Sequence, residues 1–77
     1  MKKVIIYTTS WCPFCDAAKE YLKNKGVEYE EKNVENDIQA REEMIEKSGQ
    51  LGVPVIDIGG KIIVGFSPEE IEEALKE

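Results

Sequence analysis

Continuous apolar runs alternate with amphipathic stretches along the chain, and this pattern predicts its secondary structure. The first run, Val4 to Tyr7, is typical of a strand buried on both faces, which we place at about residues 3–8. From about Pro13 to Lys25 apolar residues recur at helical spacing, and Gly26 ends the predicted helix. Its inner face would carry Ala17, Ala18, Tyr21 and Leu22.

The middle of the chain predicts a weaker strand and a second helix. Apolar and charged side chains alternate over residues 27–34, as in an edge strand with one face in water. Asn36 and Asp37 can cap a helix over about Ile38 to Lys47, which Ser48-Gly49 would end. We predict that this helix buries Ala40, Met44 and Ile45.

The last third predicts a hairpin and a final helix. Two β-rich runs, residues 53–58 and 61–65, are separated by Gly59-Gly60, which is typical of a hairpin. Ser67-Pro68 and Glu70 have the pattern of a capping box, and they open a helix that would bury Ile71, Ala74 and Leu75. The order is therefore β-α-β-α-β-β-α. The first two strands should be parallel and the last two antiparallel, with helices covering the sheet.

Length and charge narrow the possible functions. Seventy-seven residues suffice for one domain, which we place at residues 1–77. Sixteen acidic against ten basic side chains give a net charge of −6, which argues against nucleic acid and anionic membranes as partners. No apolar stretch approaches the ~20 residues that span a bilayer. Because Thr8-Thr9-Ser10 ends the first apolar run too early for an export signal, we expect a cytoplasmic protein.

The candidate chemistry lies in Cys12-Pro13-Phe14-Cys15, where the first strand meets the first helix. Positions i and i+3 of a helix have about the Cα separation that a disulfide needs, roughly 4.4–6.8 Å. Unpaired N–H groups of the first turn favour a thiolate, so the pKa of the first cysteine can fall from about 8.5 to roughly 3.5–7.5. Within a βαβ pattern such a pair predicts redox chemistry. We assign Cys12 as the nucleophile and Cys15 as the resolving thiol.

The alternatives are two unrelated cysteines or half of a metal site. The chain has no histidine, which excludes Cys–His catalysis and every zinc site that contains histidine. Two cysteines do not supply the four ligands of a structural zinc, although a dimer would. We therefore favour a working dithiol in a monomer that holds no metal.

Three segments together with the element order resemble the glutaredoxins, the smallest version of the thioredoxin fold. They are Tyr7 to Cys15, Ser48 to Pro54 and Val64 to Pro68. The resemblance implies a four-stranded mixed sheet flanked by three helices, and thiol-disulfide oxidoreductase activity on disulfide-containing proteins. It also implies a cis Val53–Pro54 bond, with the Val53 backbone pairing with a bound peptide or glutathione.

The resemblance further implies an apolar collar around the thiols. It would consist of Trp11, Pro13, Phe14, Val53, Pro54 and Phe66. An exposed collar of this kind suits the docking of a protein partner. The alternative is that Trp11 and Phe66 are ordinary half-buried aromatic residues.

Two reductants of the oxidised dithiol are considered, glutathione and thioredoxin reductase. The resemblance makes Gly65, Phe66, Ser67 and either Arg41 or Gln39 the candidate contacts of glutathione. However, Thr9 stands where many glutaredoxins have a lysine, and Ser67 stands where the family has an aspartate. Phe14 likewise replaces the usual tyrosine.

The segment Gly65-Phe66-Ser67-Pro68 is similar to the Gly-Phe-x-Pro segment of NrdH-type redoxins, which thioredoxin reductase reduces. A third hypothesis is an iron–sulfur cluster carrier that uses Cys12 of two chains. We expect no bound cofactor, with glutathione as a possible co-substrate.

Overall fold

Four strands and three helices follow one another in the predicted order. The computed structural model describes residues 3–76, so Met1, Lys2 and Glu77 of the predicted domain lie outside the described residues. The elements are β1 (Val4–Thr8), α1 (Pro13–Asn24), β2 (Glu30–Asn33), α2 (Ile38–Ser48), β3 (Val55–Ile58), β4 (Lys61–Val64) and α3 (Pro68–Lys76). None of the helices within residues 3–76 is long and apolar enough to cross a membrane.

The strands form one mixed sheet in the order β2-β1-β3-β4. The pair β1–β2 is parallel, whereas β1–β3 and β3–β4 are antiparallel. All five residues of β1 are buried, as its continuous apolar run predicts, and β2 lies at an edge. The α/β fold class inferred from the sequence, a four-stranded mixed sheet with three helices, is confirmed.

Each face of the sheet has its own apolar cluster. The face under α1 and α3 buries Val4, Ile6, Ala18, Leu22, Ile56, Ile58, Ile63, Ile71 and Ala74. The face under α2 buries Ile5, Tyr7, Val34, Ala40, Met44 and Val55. Adjacent residues of β1 therefore serve opposite faces, because side chains alternate across a strand.

Three details of the prediction are wrong. Ile45 is 36% exposed, because α2 turns Glu43 and Lys47 toward the sheet, where both reach the Tyr7 hydroxyl. Only Glu30–Asn33 of the predicted second strand pair with β1; Val27 and Tyr29 pack on the core outside the ladder. The third strand begins at Val55 and not at residue 53, since Pro54 has no N–H to donate.

The helix boundaries follow from local chemistry. Asp37 caps α2 by accepting the Ala40 N–H at 3.2 Å, and Gly49 ends it in the left-handed conformation at φ +73°. The Ser67 carbonyl accepts the Ile71 N–H at 3.0 Å, so Ser67 is the residue that precedes the first turn of α3. The positions of Asp37, Gly49 and Ser67 agree with those expected from the sequence, whereas the capping-box hydrogen bonds of Ser67 and Glu70 stay a prediction.

Candidate active site

Cys12 and Cys15 form a disulfide at the start of α1, and their Cα atoms are 5.1 Å apart. Cys12 is the N-cap residue: its backbone is extended, and its Sγ accepts the Cys15 N–H at 3.1 Å. The Cys12 carbonyl accepts the Asp16 N–H at 3.1 Å, which starts the helical hydrogen bonds. The sulfur of Cys12 therefore already occupies the position where an N-cap side chain satisfies an unpaired helical N–H.

The two cysteines differ in exposure. Cys12 retains 9% of its accessible surface, whereas Cys15 retains 1%. Pro13, between them, is exposed at the first position of the helix, where its missing N–H leaves no bond unmade. An external disulfide can therefore approach Cys12 more readily than Cys15.

Two large aromatic side chains flank the disulfide in the open. Trp11 is 92% exposed and Phe14 is 66% exposed, so the half-buried alternative is wrong for Trp11. Phe66 is half-buried and packs edge to face on Tyr21 of α1, with ring centroids 6.0 Å apart. The expected exposed collar is therefore incomplete: its exposed aromatic part consists of Trp11 and Phe14.

The Val53–Pro54 peptide bond is cis, as the resemblance predicts. Pro54 is fully buried and so does not belong to an exposed collar, and Val53 is half-buried. The Pro54 carbonyl accepts the Gly65 N–H at 2.8 Å. This bond holds the segment before β3 against the segment after β4.

The sheet register brings these segments to one end of the molecule, which we call the cysteine end. It comprises the carboxyl ends of β1, β2 and β4 and the start of β3, since Tyr7 pairs with Val55 and Val55 with Val64. The loop that carries Cys12 leaves β1 here, and cis-Pro54 enters β3 here. Ser67, which follows β4, also lies on this side of the sheet.

Arg41 lies on α2, in its first turn. Its Nε donates to the Val34 carbonyl at 3.4 Å, and the Val34 N–H donates to the Thr8 carbonyl at 2.8 Å. Arg41 is therefore anchored beside the carboxyl ends of β1 and β2. Its guanidinium stays exposed enough to meet an anion, although no described contact joins it to Phe66 or Ser67.

Sequence reasoning missed two residues that hold the loop before Cys12. The Glu35 carboxylate accepts the Ser10 N–H at 3.0 Å, and the Asn33 side-chain amide donates to the Ser10 hydroxyl at 3.4 Å. The available signal was their position at the carboxyl end of β2, where Asn33 is the last residue of the strand and Glu35 follows it. Carboxyl ends of parallel strands meet at one edge, where binding sites form in α/β proteins.

A series of hydrogen bonds and ion pairs links the side chains of Thr8, Glu31, Lys19 and Asp16 beside α1. The Glu31 carboxylate accepts the Thr8 hydroxyl at 2.7 Å and the Lys19 ammonium at 3.0 Å, and Lys19 also lies 3.5 Å from Asp16. The Thr8 and Lys19 hydrogen bonds lower the pKa of Glu31, and the Glu31 hydrogen bond raises the pKa of Lys19. Lys19 is therefore a fully charged cation neutralised by two carboxylates.

The described residues offer no cluster of three or more histidine, cysteine or acidic side chains placed to hold a metal ion. The reactive groups that the structure does place at the cysteine end are the two sulfur atoms of Cys12 and Cys15. The residues around these sulfur atoms determine how a substrate reaches them, the local electrostatic potential and the surface on which a partner binds.

Comparisons with known proteins agree with this geometry. Residues 4–63 match the family model described as Glutaredoxin. An uncharacterized glutaredoxin-like 8.6 kDa protein in the rubredoxin operon of Clostridium pasteurianum is 49% identical over 71 residues, covering 92% of this chain and 95% of that protein.

Two solved structures extend the comparison. The glutaredoxin from Archaeoglobus fulgidus superposes with a TM-score of 0.90 at 29% identity, over 100% of this chain and 89% of that one. The glutaredoxin-like NrdH-redoxin from Escherichia coli, which has a thioredoxin-like activity profile, superposes with a TM-score of 0.81 at 31% identity, over 92% of each chain.

Proposed function

Because the chain belongs to the glutaredoxin family and carries a dithiol pair, we propose that it reduces disulfides in proteins or mixed disulfides with glutathione. Cys12 is the attacking thiolate and Cys15 the resolving thiol. The observation that carries this assignment is the asymmetry of the pair. Cys12 is the more exposed sulfur and accepts an N–H bond at the start of α1, whereas Cys15 is enclosed.

The local donors favour a thiolate on Cys12. After reduction, the Cys15 N–H can donate its hydrogen bond to the Cys12 thiolate and stabilise its negative charge. The positive end of the α1 dipole stabilises the same charge. Lys19 contributes little to this stabilisation because Glu31 and Asp16 neutralise it. The N-terminus of the helix therefore supplies most of the effect.

The reaction proceeds in two exchanges. The Cys12 thiolate attacks one sulfur of the substrate disulfide, so that a mixed disulfide forms and the other substrate sulfur leaves as a thiolate. The Cys15 thiolate then attacks Cys12 Sγ, which forms the Cys12–Cys15 bond and releases the second substrate thiolate. Two electrons pass to the substrate, and solvent supplies the protons that its thiolates take up.

The surroundings of Cys12 suit an extended polypeptide. Trp11 and Phe14, which precede and follow Cys12 in the sequence, offer exposed apolar surface. Proline at position 54 donates no N–H, which leaves the neighbouring Val53 backbone groups to pair with a substrate backbone. Backbone pairing and apolar contact together make Cys12 the point of attack.

A second candidate function shares this chemistry and differs in the electron donor. In it, a flavoprotein of the thioredoxin reductase class reduces the Cys12–Cys15 disulfide directly. The segment Gly65-Phe66-Ser67-Pro68 and the similarity to NrdH-redoxin favour it, as does Thr9 in place of a cation. Arg41, anchored at the cysteine end, favours glutathione as an anionic donor.

Cysteine variants test the proposed roles. Cys15→Ser should accumulate a mixed disulfide with a substrate peptide, because no resolving thiol remains. Cys12→Ser should lose turnover, since Cys15 is buried. The two are matched in size and lose the same intramolecular disulfide. Full turnover by Cys12→Ser, or a trapped adduct on Cys15, would overturn the assignment.

The donor is tested by reducing the oxidised protein with two systems in parallel. One contains glutathione, glutathione reductase and NADPH; the other contains thioredoxin reductase and NADPH. Turnover with glutathione alone supports a glutaredoxin in the strict sense, and turnover with the reductase alone supports the NrdH-like function. If Thr9 limits glutathione use, Thr9→Lys should raise the glutathione rate and leave the reductase rate unchanged.

A further inference from the structure

Among the described residues, the exposed aromatic and charged side chains around the disulfide are two rings and two carboxylates. Trp11 and Phe14 are the large exposed apolar side chains next to Cys12. Asp16, whose side chain is 78% exposed, lies in the first turn of α1, and exposed Glu35 is bonded to the backbone of Ser10 in the cysteine loop. Trp11 and the Glu35 contact thus belong to the same loop, and Phe14 and Asp16 to the same helical turn.

Cations are few on the elements that build the cysteine end. Lys19 is held by Glu31 at 3.0 Å and by Asp16 at 3.5 Å, so its charge is compensated within the protein. Lys32, near the carboxyl end of β2, is held by Glu43 at 3.0 Å, and the Nε of Arg41 is engaged by the Val34 carbonyl. Asp37, the exposed N-cap of α2, adds a further carboxylate near Arg41.

The opposite end of the sheet holds a larger share of the basic residues. Ile58 pairs with both Val4 and Lys61, and the Lys3 carbonyl accepts the Gly59 N–H, so the start of β1 and the β3–β4 turn lie together. The last turns of α1 and α3 end beside them, around an open cavity lined in part by Val4, Gly26 and Leu75. The basic side chains on these segments are Lys3, Lys23, Lys25, Lys61 and Lys76. Lys25 pairs with Glu72, and Glu28 lines the same cavity.

From this separation we propose that the cysteine end docks a basic polypeptide segment that carries the disulfide to be reduced. The inference rests on the proposed function and names the class of its substrate. Lysine or arginine side chains near the disulfide meet the carboxylates of Asp16 and Glu35, and one of them can stack on the exposed indole of Trp11. Glutathione has a net negative charge at neutral pH and is disfavoured by the same field.

Charge complementarity would act when the substrate meets and docks on the protein, so the quantity to measure is the rate at which a substrate disulfide is reduced. Two peptides with the same intramolecular disulfide would be compared, one with lysine and one with glutamate at the flanking positions. The reduced protein is mixed with each in single-turnover experiments, followed by the fluorescence of Trp11, the sole tryptophan of the chain. We expect the lysine peptide to react about 10-fold or more faster at ~10 mM salt, and the ratio to approach 1 near ~1 M salt.

Charge-neutralising variants at the two ends of the sheet test whether the preference for the lysine peptide arises at the cysteine end. Glu35→Gln keeps an oxygen that can accept the Ser10 N–H and removes the charge, and it should lower the lysine-to-glutamate rate ratio at least about 2-fold at low salt. Glu28→Gln removes the same charge at the opposite end and should leave the ratio unchanged. The ratio is used because changes in the reactivity of Cys12 affect both peptides equally.

The outcomes separate this inference from the proposed function. Reduction of neither peptide would overturn the proposed function, and the docking preference with it. Reduction of both at equal rates in low salt, or faster reduction of the glutamate peptide, would overturn the docking preference alone. An equal loss of selectivity in Glu28→Gln and Glu35→Gln would show that only the net charge matters, which would also overturn it.

Discussion

Apolar contact holds the helices to one face of the sheet, whereas charged hydrogen bonds reinforce the other. Under α1 and α3, the side chains of Ile6, Leu22 and Ile71 are completely buried among other aliphatic groups. Under α2, the buried Tyr7 hydroxyl donates to Glu43 at 2.5 Å and accepts from Lys47 at 2.8 Å. The two faces therefore respond to different perturbations.

The polar network extends beyond Tyr7. Lys47 also reaches Asp57 on β3 at 2.8 Å, and Glu43 accepts Lys32 of β2 at 3.0 Å. Glu43 and Lys47 thus connect α2 to three strands: to β1 through the Tyr7 hydroxyl, to β2 through Lys32 and to β3 through Asp57. Because Cys12 caps α1 and Cys15 lies on it, the reactive pair is attached to the face that apolar burial stabilises, and buried aliphatic groups have no charge that pH could change.

The largest difference is expected from truncating a side chain on the apolar face. Leu22→Ala should lower the free energy of unfolding of the oxidised protein by about 2–5 kcal/mol, because it leaves a cavity among Ile6, Ala18 and Ile71. Urea denaturation measures the change. Ile45→Ala, at a partly exposed position of α2, is the control and should cost well under half as much. Equal losses would contradict the burial that distinguishes these residues.

A single hydroxyl tests the polar face. Tyr7→Phe should cost about 1–3 kcal/mol, because it removes a buried group that pairs with both Glu43 and Lys47. Tyr21→Phe is the matched control on the other face: the Tyr21 hydroxyl is exposed and meets the Pro68 carbonyl at 3.5 Å. We expect that control to stay within about 0.5 kcal/mol of the parent in the same titration.

These two variants also show what sequence can predict. Helical spacing predicts that Leu22 and Ala18 belong to the core, and continuity predicts the same for the four apolar residues of β1, because burial of apolar groups leaves a pattern in the sequence. Glu43 and Lys47 leave no such signal. Their positions on α2 look solvated until the fold places the Tyr7 hydroxyl below them, and Ile45 is displaced outward as a result.

In the candidate site, too, some residues are predictable from the sequence and others are not. Cys12, Cys15 and the cis bond before Pro54 were predicted from a local motif or from the family resemblance. Glu35 and Asn33, which hold Ser10, were not, because they act through side chains that meet the loop only after β2 pairs with β1. Contacts between distant segments of the chain depend on register, which a motif does not encode.

A smaller effect is expected from one ion pair on each face. Double-mutant cycles with Lys47→Met and Asp57→Asn should give a coupling free energy of about 1 kcal/mol, because Asp57 is largely buried in the sheet. The control cycle, Lys25→Met with Glu72→Gln, tests an exposed pair between α1 and α3 and should give no coupling outside experimental error. Comparable coupling in both cycles would mean that burial does not separate the two faces.

The smallest effect is the dependence of the polar face on pH. The Tyr7 hydrogen bond, followed by that of Lys32, lowers the pKa of Glu43 in the folded protein from 4.5 to about 2. The unfolded chain therefore takes up this proton first as the pH falls. The stabilisation is complete above about pH 5 and is lost as the pH falls from about 4.5 toward 2.

Urea titrations at pH 7 and pH 3 measure this loss. Since the Glu43 side chain is 38% exposed, solvent screening should hold its share below about 1 kcal/mol. Glu43→Gln should lose less stability than the parent between the two pH values, whereas Glu42→Gln, exposed on the same helix, should lose as much as the parent. If Glu43→Gln followed the parent instead, the acid sensitivity would arise elsewhere, and α2 would be held as the other helices are, by its apolar contacts.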